Sequence, residues 1–158
     1  EAGRRRGPEA GALMRILIVQ TTRLGDVLQT TPLIHMVRRK HPDAHITLLV
    51  RQMSRAIADR NHDINDVMIY DEDELYRRLI ADDSNKLLEA YQLTDKRIQA
   101  IKACNFDIAY NVTHSVSSAM LIKIAEIPEV YGAHLGDDWQ FILRGRWTTY
   151  FFTSVFSD

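Results

Sequence analysis

The sequence of 158 residues has little of several features that mark particular classes of protein. Its single cysteine, Cys104, excludes an internal disulfide and a cysteine-based metal cluster, and fits a reducing compartment. Its apolar runs are all shorter than the roughly 20 residues that a membrane-spanning helix needs. The formal net charge of −1 lacks the basic excess typical of nucleic-acid-binding proteins. These absences leave the composition of a soluble globular domain, 46% hydrophobic and 26% charged.

Two nucleotide-binding motifs are missing as well. No Gly-x-Gly-x-x-Gly follows an apolar run and no Gly-x-x-x-x-Gly-Lys-Ser/Thr occurs, which disfavours dinucleotide-binding and P-loop proteins. The chain has no internal repeat. A receiver-like domain is disfavoured because no lone aspartate ends the third predicted strand with acidic companions after the first.

Short apolar runs alternate with helical patterns along the chain, which predicts an α/β fold with a Rossmann-like parallel sheet flanked by helices. Pro32 either kinks the first helix or starts a second one. Three helices are predicted between residues 71 and 104, and another at 119–125. The predicted strands are 16–19, 46–50, 66–70, 108–112 and 130–132.

One stretch, residues 14–32, carries the strongest pattern. Its apolar strand leads through a polar turn into Leu-Gly-Asp, where a helix begins. Gly25 lets the backbone approach a neighbour or a ligand without a Cβ in the way. Asp26 then lies beyond the carboxyl end of a strand, where open α/β sheets bind ligands. Taken alone, such an aspartate is more often a helix N-cap.

The same stretch, Met-Arg-Ile-Leu-Ile-Val-Gln-Thr-Thr-Arg-Leu-Gly-Asp-Val-Leu-Gln-Thr-Thr-Pro, resembles the start of the heptosyltransferases of glycosyltransferase family 9. The resemblance continues at 41–50, His-Pro-Asp-Ala-His-Ile-Thr-Leu-Leu-Val, and more loosely at 106–111 and 130–132. It implies one half of the two-domain GT-B architecture, with residues 14–158 as the N-terminal, acceptor-side half and the C-terminal donor domain absent. Residues 1–13 are interpreted as a disordered extension, either a cloning remnant or an over-extended start.

The resemblance also implies an activity. An inverting glycosyltransferase of this kind transfers a sugar from a nucleotide-sugar donor, such as ADP-heptose, to a hydroxyl of a lipopolysaccharide-core-like acceptor. It needs no cofactor and no metal, and works in the cytoplasm, where a peripheral contact with the inner face of the cytoplasmic membrane is left open. Asp26 would be the general base, kept ionised by the positive end of its helix. The isolated half is expected to be inactive.

Basic and hydroxyl side chains near Asp26 are the candidate substrate-binding groups. Thr21, Thr22 and Arg23 form the turn beside it and offer hydroxyls and a positive charge to oxygen-rich groups. By the resemblance, Arg51 and Arg55 meet an anionic acceptor, although such a pair is usually a solvated surface.

The loop after the fourth predicted strand departs from the family pattern. Family members often carry Gly-Ser-x-Arg-Ser there, and Ser115 and Ser118 match the two serines. His114 occupies the glycine position and Ser117 the arginine position. His114 is either a compensating polar contact or merely exposed. The lost positive charge favours a second hypothesis, a non-catalytic Rossmann-like module that binds a saccharide or a partner domain.

Two further clusters are ambiguous. The acidic run at residues 71–74 is either a metal-binding cluster or, more commonly, a solvated helix start. Seven aromatic residues crowd the last twenty positions, and some of them are expected to pack on the sheet while others cover an interface.

Overall fold

The computed structural model describes residues 13–145, which form one six-stranded sheet with helices on both faces. The strands are β1 (Arg15–Gln20), β2 (His45–Val50), β3 (Asp66–Ile69), β4 (Ile108–Asn111), β5 (Glu129–Leu135) and β6 (Phe141–Arg144). The helices are α1 (Leu24–Lys40), α2 (Arg55–Ala58), α3 (Glu72–Leu79), α4 (Ser84–Ala103) and α5 (Val116–Ile124), with a short 3-10 turn at Gln52–Ser54.

The strand order is β3-β2-β1-β4-β5-β6, and the first five strands run parallel. This confirms the predicted Rossmann-like α/β fold. The chain moves outwards from β1 to β3 and then returns to place β4 on the other side of β1. The connections therefore leave β1 and β4 in opposite directions, and a crevice opens at the carboxyl ends of these two strands.

Strand β1 lies at the centre of the sheet because its side chains are apolar on both faces. Ile16 and Ile18 pack under α1 and α2, together with residues such as Val27 and Ile34 of α1. Leu17 and Val19 point to the opposite face, where α4 and α5 cover them. All four side chains of the apolar run are fully buried. A continuous apolar run is the pattern of a parallel strand covered on both sides.

Three predictions about the elements need correction. Helix α1 runs without a break through Pro32, so proline starts no second helix, and its missing N–H removes the hydrogen bond to the Leu28 carbonyl oxygen. The last two of the three helices predicted between residues 71 and 104 are the single helix α4. Strand β6 was not predicted, and it pairs antiparallel with β5 at the edge of the sheet.

The aromatic cluster is described only in part. Trp139 and Phe141 are both exposed, so these two are not among the aromatic residues expected to pack on the sheet. The remaining five, Trp147, Tyr150, Phe151, Phe152 and Phe156, lie outside the described residues, as does nearly all of the extension predicted at 1–13. Among the described helices, none is long and apolar enough to cross a membrane.

Strand β5 passes very close to the end of β4 at Gly132. This glycine has a φ of +85°, and a Cβ there would collide with the carbonyl oxygen of Asn111. The Asn111 side chain is itself buried and donates to the Ala133 carbonyl oxygen at 2.7 Å. The close approach of Gly132 to Asn111 therefore fixes the position of the end of β4, where the loop to α5 begins.

We expect Gly132→Ala to lower the free energy of unfolding by about 2 kcal/mol or more, because alanine meets both backbone strain and a collision with β4. Urea denaturation measures the change. Gly25→Ala is the matched control, since a Cβ there has nothing within 4 Å and the residue is helical. The control should change stability by less than about 1 kcal/mol or increase it. Equal stability of the two variants would contradict the account of Gly132.

Candidate functional site

A groove of about 430 Å³ lies at the carboxyl edge of the sheet, where β1 and β4 diverge. Helix α1 forms one wall and the loop between β4 and α5 forms the other. The polar side chains that line it are Gln20, Thr22, Asp26, Gln29, Thr30, Thr113, His114 and Ser115. Four of the predicted site residues, Thr22, Asp26, His114 and Ser115, are thus brought together from two segments that lie far apart in the sequence.

Asp26 lies in the first turn of α1 and faces this groove. Its Oδ2 accepts a hydrogen bond from the Thr22 hydroxyl at 2.7 Å and another from the Arg23 backbone N–H at 3.1 Å. Its Oδ1 has no hydrogen-bond partner among the described residues. Arg23, not Asp26, is the N-cap residue, so the N-cap interpretation of Asp26 is wrong. The carboxylate nevertheless binds the backbone of its own helix start with one oxygen and leaves the other open to the groove.

Two predicted binding residues are structural. Thr21 is buried, and its backbone N–H donates to the Thr113 hydroxyl at 2.8 Å, which ties the end of β1 to the end of β4. Ser118 is also buried, and its hydroxyl accepts from the Asn111 amide at 3.0 Å. Neither side chain lines the groove. Both hold the groove walls in place.

Arg23 and Gly25 flank the groove without lining it. Both are exposed at the start of α1. Among residues 13–145, no atom lies close enough to require glycine at position 25. The predicted close approach at Gly25 is therefore available to a ligand and is not used by a neighbouring segment.

Arg51 and Arg55 do not share a helix face, because Arg51 precedes the 3-10 turn and Arg55 begins α2. Arg51 pairs with Asp73 of α3, and Arg55 pairs with Asp59 at 3.4 Å. Neither lines the groove. The structure places both guanidinium groups against protein carboxylates, so the shared helix face expected from their spacing is wrong, while their contact with an acceptor stays a prediction.

The acidic run at the start of α3 is divided among separate partners. Asp71 caps the helix by accepting from the Asp73 N–H at 3.1 Å. Glu74 accepts from Arg78 and Arg97, at 2.9 and 2.8 Å. Among the described residues, no cluster of three or more His, Cys, Asp or Glu side chains could hold a metal ion. The helix-start interpretation is correct, except that arginines rather than solvent engage two of these acids, Asp73 and Glu74.

Glu72, the remaining acid of this run, reaches the carboxyl edge of the sheet. Its Oε1 accepts from the Ser117 hydroxyl at 3.0 Å and lies 3.4 Å from the Thr21 hydroxyl. Ser117 stands at the position where the resemblance puts an arginine. In this chain that position therefore carries a hydroxyl already bound to a carboxylate.

His114 lines the groove from the side opposite Asp26. Part of its side chain stays exposed, and burial of the rest lowers the pKa of the imidazole below its usual range. At neutral pH the ring is therefore uncharged. It can exchange hydrogen bonds with a ligand but does not replace the missing cation.

Sequence reasoning missed four polar residues of the groove, namely Gln20, Gln29, Thr30 and Thr113. Gln20 could have been predicted as a groove residue, because it is the first polar residue after the buried apolar run of β1 and lies at the end of that strand. Thr113 follows the end of β4 by two residues. Gln29 and Thr30 follow Asp26 by three and four residues, so they share its face of α1.

This geometry defines a Rossmann-like α/β domain with a polar ligand groove at the β1–β4 crevice. No protein-family model matches the chain. In sequence, it is 27% identical over 120 residues to Lipopolysaccharide heptosyltransferase 3 of Escherichia coli (strain K12). That match covers 73% of this chain and 32% of the relative, so the chain spans about a third of the length of the curated relative it matches.

Solved structures show the same fold. A glycosyl transferase of family 9 from Veillonella parvula DSM 2008 has a TM-score of 0.62 at 22% identity, over 75% of this chain and 31% of that one. The E. coli heptosyltransferase WaaC with ADP-2-deoxy-2-fluoro heptose has a TM-score of 0.62 at 22% identity, over 75% and 36%. The E. coli ADP-heptose lps heptosyltransferase II gives 0.57 at 22% identity, over 75% and 30%. The resemblance to heptosyltransferases of glycosyltransferase family 9 is confirmed.

We expect the His114 imidazole to titrate below about pH 6.5, the usual histidine value, because burial disfavours its charged form. The ring proton signals of His114 in NMR spectra, followed against pH, measure this. Unfolding then takes up a proton at His114, so its contribution to stability is complete above the usual pKa and decreases as the pH falls below it.

The same signals in urea-unfolded protein are the control for His114, and they should return to the usual value. A folded-state titration at or above that value would contradict the groove environment described here.

Proposed function

We propose that the chain is the acceptor-side half of an inverting glycosyltransferase of the GT-B type, with residues 14–158 as its N-terminal domain. The observation that carries the proposal is the open oxygen of Asp26 in a groove lined by hydroxyl and amide groups. Similarity to heptosyltransferases supports the same class.

The chemistry follows from the two oxygens of Asp26. An acceptor hydroxyl that attacks the anomeric carbon of a donor sugar becomes strongly acidic as the new bond forms, and a carboxylate within hydrogen-bond reach can take its proton. Oδ1 is the oxygen available for this step. Oδ2, held by Thr22 and the Arg23 N–H, fixes the direction in which the carboxylate faces.

The groove suits a sugar because its walls offer donors and acceptors in alternation. Thr22, Thr30 and Ser115 place hydroxyl oxygens in the groove as acceptors, and the amide of Gln29 adds two donors and an acceptor. Gly25 leaves the backbone at the start of α1 open to close approach. These groups match the hydroxyl-rich surface of a saccharide, and they would orient one of its hydroxyls at Asp26.

The substrates are proposed from the relatives. The acceptor is a lipopolysaccharide-core-like saccharide, and the donor is a nucleotide sugar such as ADP-heptose, whose nucleotide would bind a second Rossmann-like domain across the cleft. Arg23, which is exposed beside the groove, is the cation that we assign to the acceptor. A lipid-linked acceptor would bring the enzyme to the inner face of the cytoplasmic membrane as a peripheral protein.

A second candidate is a non-catalytic module that binds a saccharide or a partner domain. The contact between Ser117 and Glu72 favours it, because the position where the family pattern has an arginine holds a serine that donates to a carboxylate. The two candidates differ in one measurable respect. A binding module would hold a core saccharide in the groove equally well in the parent and in Asp26→Asn, and would transfer nothing when a donor domain is supplied.

In a polypeptide that carries both halves, we expect Asp26→Asn to lower the turnover number for transfer by about 10²- to 10⁴-fold, the usual contribution of a general base. Asparagine keeps the size of the side chain and can still accept from Thr22 and the Arg23 N–H. Donor binding, measured by calorimetry with the nucleotide sugar, should therefore be unchanged.

The control for this substitution is Asp43→Asn, which removes the same charge from an exposed turn after α1, at the opposite edge of the sheet. It should transfer at the parent rate. Near-parent turnover of Asp26→Asn would remove Asp26 from its role, and binding without any transfer in the parent would favour the non-catalytic module.

A further inference from the structure

Gln20 lies at the floor of the groove and connects three segments of the chain. Its side chain is 6% exposed. Its Oε1 is 2.7 Å from the Thr22 hydroxyl oxygen and 3.4 Å from that of Thr113, and its Nε2 is 3.3 Å from that of Thr30. A buried amide with three hydroxyl neighbours can satisfy them in more than one way, because each hydroxyl both donates and accepts.

The hydroxyl of Thr22 has more acceptors than it has hydrogens. Its oxygen lies 2.7 Å from Gln20 Oε1 and 2.7 Å from Asp26 Oδ2. A hydroxyl carries one hydrogen, so Thr22 can donate to only one of these two oxygens. The other oxygen then lies beside the Thr22 oxygen with no hydrogen between them. An ionised carboxylate is the stronger acceptor, because a hydrogen bond to a charged group is stronger than one to a neutral amide.

We propose that Gln20 is a positioning residue for the carboxylate of Asp26, and that it acts through Thr22. When Asp26 is a carboxylate, the Gln20 amide is turned by half a turn from the orientation just described, in which Oε1 faces Thr22. It then donates from Nε2 to the Thr22 oxygen and so commits the Thr22 hydrogen to Oδ2. When no carboxylate is present, Gln20 presents Oε1 to Thr22 and receives that hydrogen instead. The kinetic meaning of this coupling rests on the proposed function, but the coupling itself does not.

Each hydroxyl hydrogen has an acceptor in both arrangements. With Nε2 towards Thr22, Oε1 faces Thr30, whose hydroxyl turns from the Asp26 backbone oxygen to Oε1, while Thr113 donates to the Val19 oxygen. With Oε1 towards Thr22, Nε2 donates to the Thr30 oxygen and Thr30 keeps its bond to the Asp26 backbone oxygen at 2.8 Å. No bond other than hydrogen bonds changes, and no proton leaves the network.

In a transferase, the two oxygens of Asp26 would then have separate roles. Oδ2 accepts from Thr22 and from the Arg23 N–H, so both of its favourable directions are used. Oδ1 then remains the oxygen that meets the acceptor hydroxyl. Without Gln20 as a donor behind it, the Thr22 hydroxyl could turn away, and the carboxylate would be free to rotate.

Side-chain amide NMR of the chain itself tests the coupling at neutral pH, without sugar or donor. In the wild type, the Gln20 amide hydrogens should give cross-peaks to the methyl group of Thr22. In Asp26→Ala, which leaves the Thr22 hydrogen to Gln20 alone, these cross-peaks should be lost and replaced by cross-peaks to the methyl group of Thr30. Cross-peaks to Thr30 in the wild type would overturn the proposal, even if Asp26→Ala failed to fold.

Thr22→Val is the matched control, because valine keeps the shape of threonine and removes the hydroxyl. In the Thr22→Val background, the Gln20 cross-peaks should be the same with and without Asp26→Ala. A change on adding Asp26→Ala to Thr22→Val would mean that Thr22 does not carry the effect, and would overturn its part in the proposal. Thr22→Ser keeps the hydroxyl but has no methyl group, so it should give Gln20 cross-peaks to the β-hydrogens at position 22 and none to the methyl group of Thr30.

These outcomes are independent of the proposed function. If Asp26→Asn lowers turnover as expected but the Gln20 amide does not turn, Asp26 remains the general base and Gln20 is not its positioning residue. A turn of Gln20 with normal turnover in Asp26→Asn would leave the coupling intact and remove the transferase role.

Discussion

The parallel pairing of β1 with β4 is the constraint on which the rest of this domain depends. The four residues from Ile16 to Val19 pair with Ile108 to Asn111, so both strands end at the same edge of the sheet. Their connections then leave in opposite directions, and the divergence opens a groove whatever side chains follow. Thr21 and Thr113 bridge the two strand ends, which keeps the walls of the groove at a fixed separation.

Asp26 combines two roles that are usually treated as alternatives. Because it occupies the first turn of α1, one of its oxygens binds the backbone at the start of that helix. Because α1 begins at the groove, the other oxygen faces an open, polar space. A helix-start interaction therefore does not compete with a chemical role here. It orients the carboxylate, and the buried network of Gln20, Thr22 and Thr30 supports that orientation.

Local patterns predicted the parts of the fold that depend on local physics. The apolar run of β1 and the Leu-Gly-Asp turn after it placed Asp26 correctly at a strand end, and the spacing of serines and a histidine after β4 placed His114 and Ser115 opposite it. Long-range partners decided the remainder. Arg51 and Arg55 looked like a pair by spacing, but acids on α3 and just after α2 engage them separately. The division between the second and third helices predicted before β4 disappeared because α4 packs on the sheet as one helix, and β6 forms through its pairing with β5.

The central claim is that an acceptor hydroxyl meets Oδ1 of Asp26 in the groove between α1 and the β4–α5 loop. A structure of the chain with a lipopolysaccharide-core saccharide bound would test it most directly. The account predicts one sugar hydroxyl oxygen about 2.6–3.2 Å from Oδ1, with Oδ2 still held by Thr22. A saccharide bound outside the groove, or one inside it with Asp26 rotated away from every hydroxyl, would contradict it.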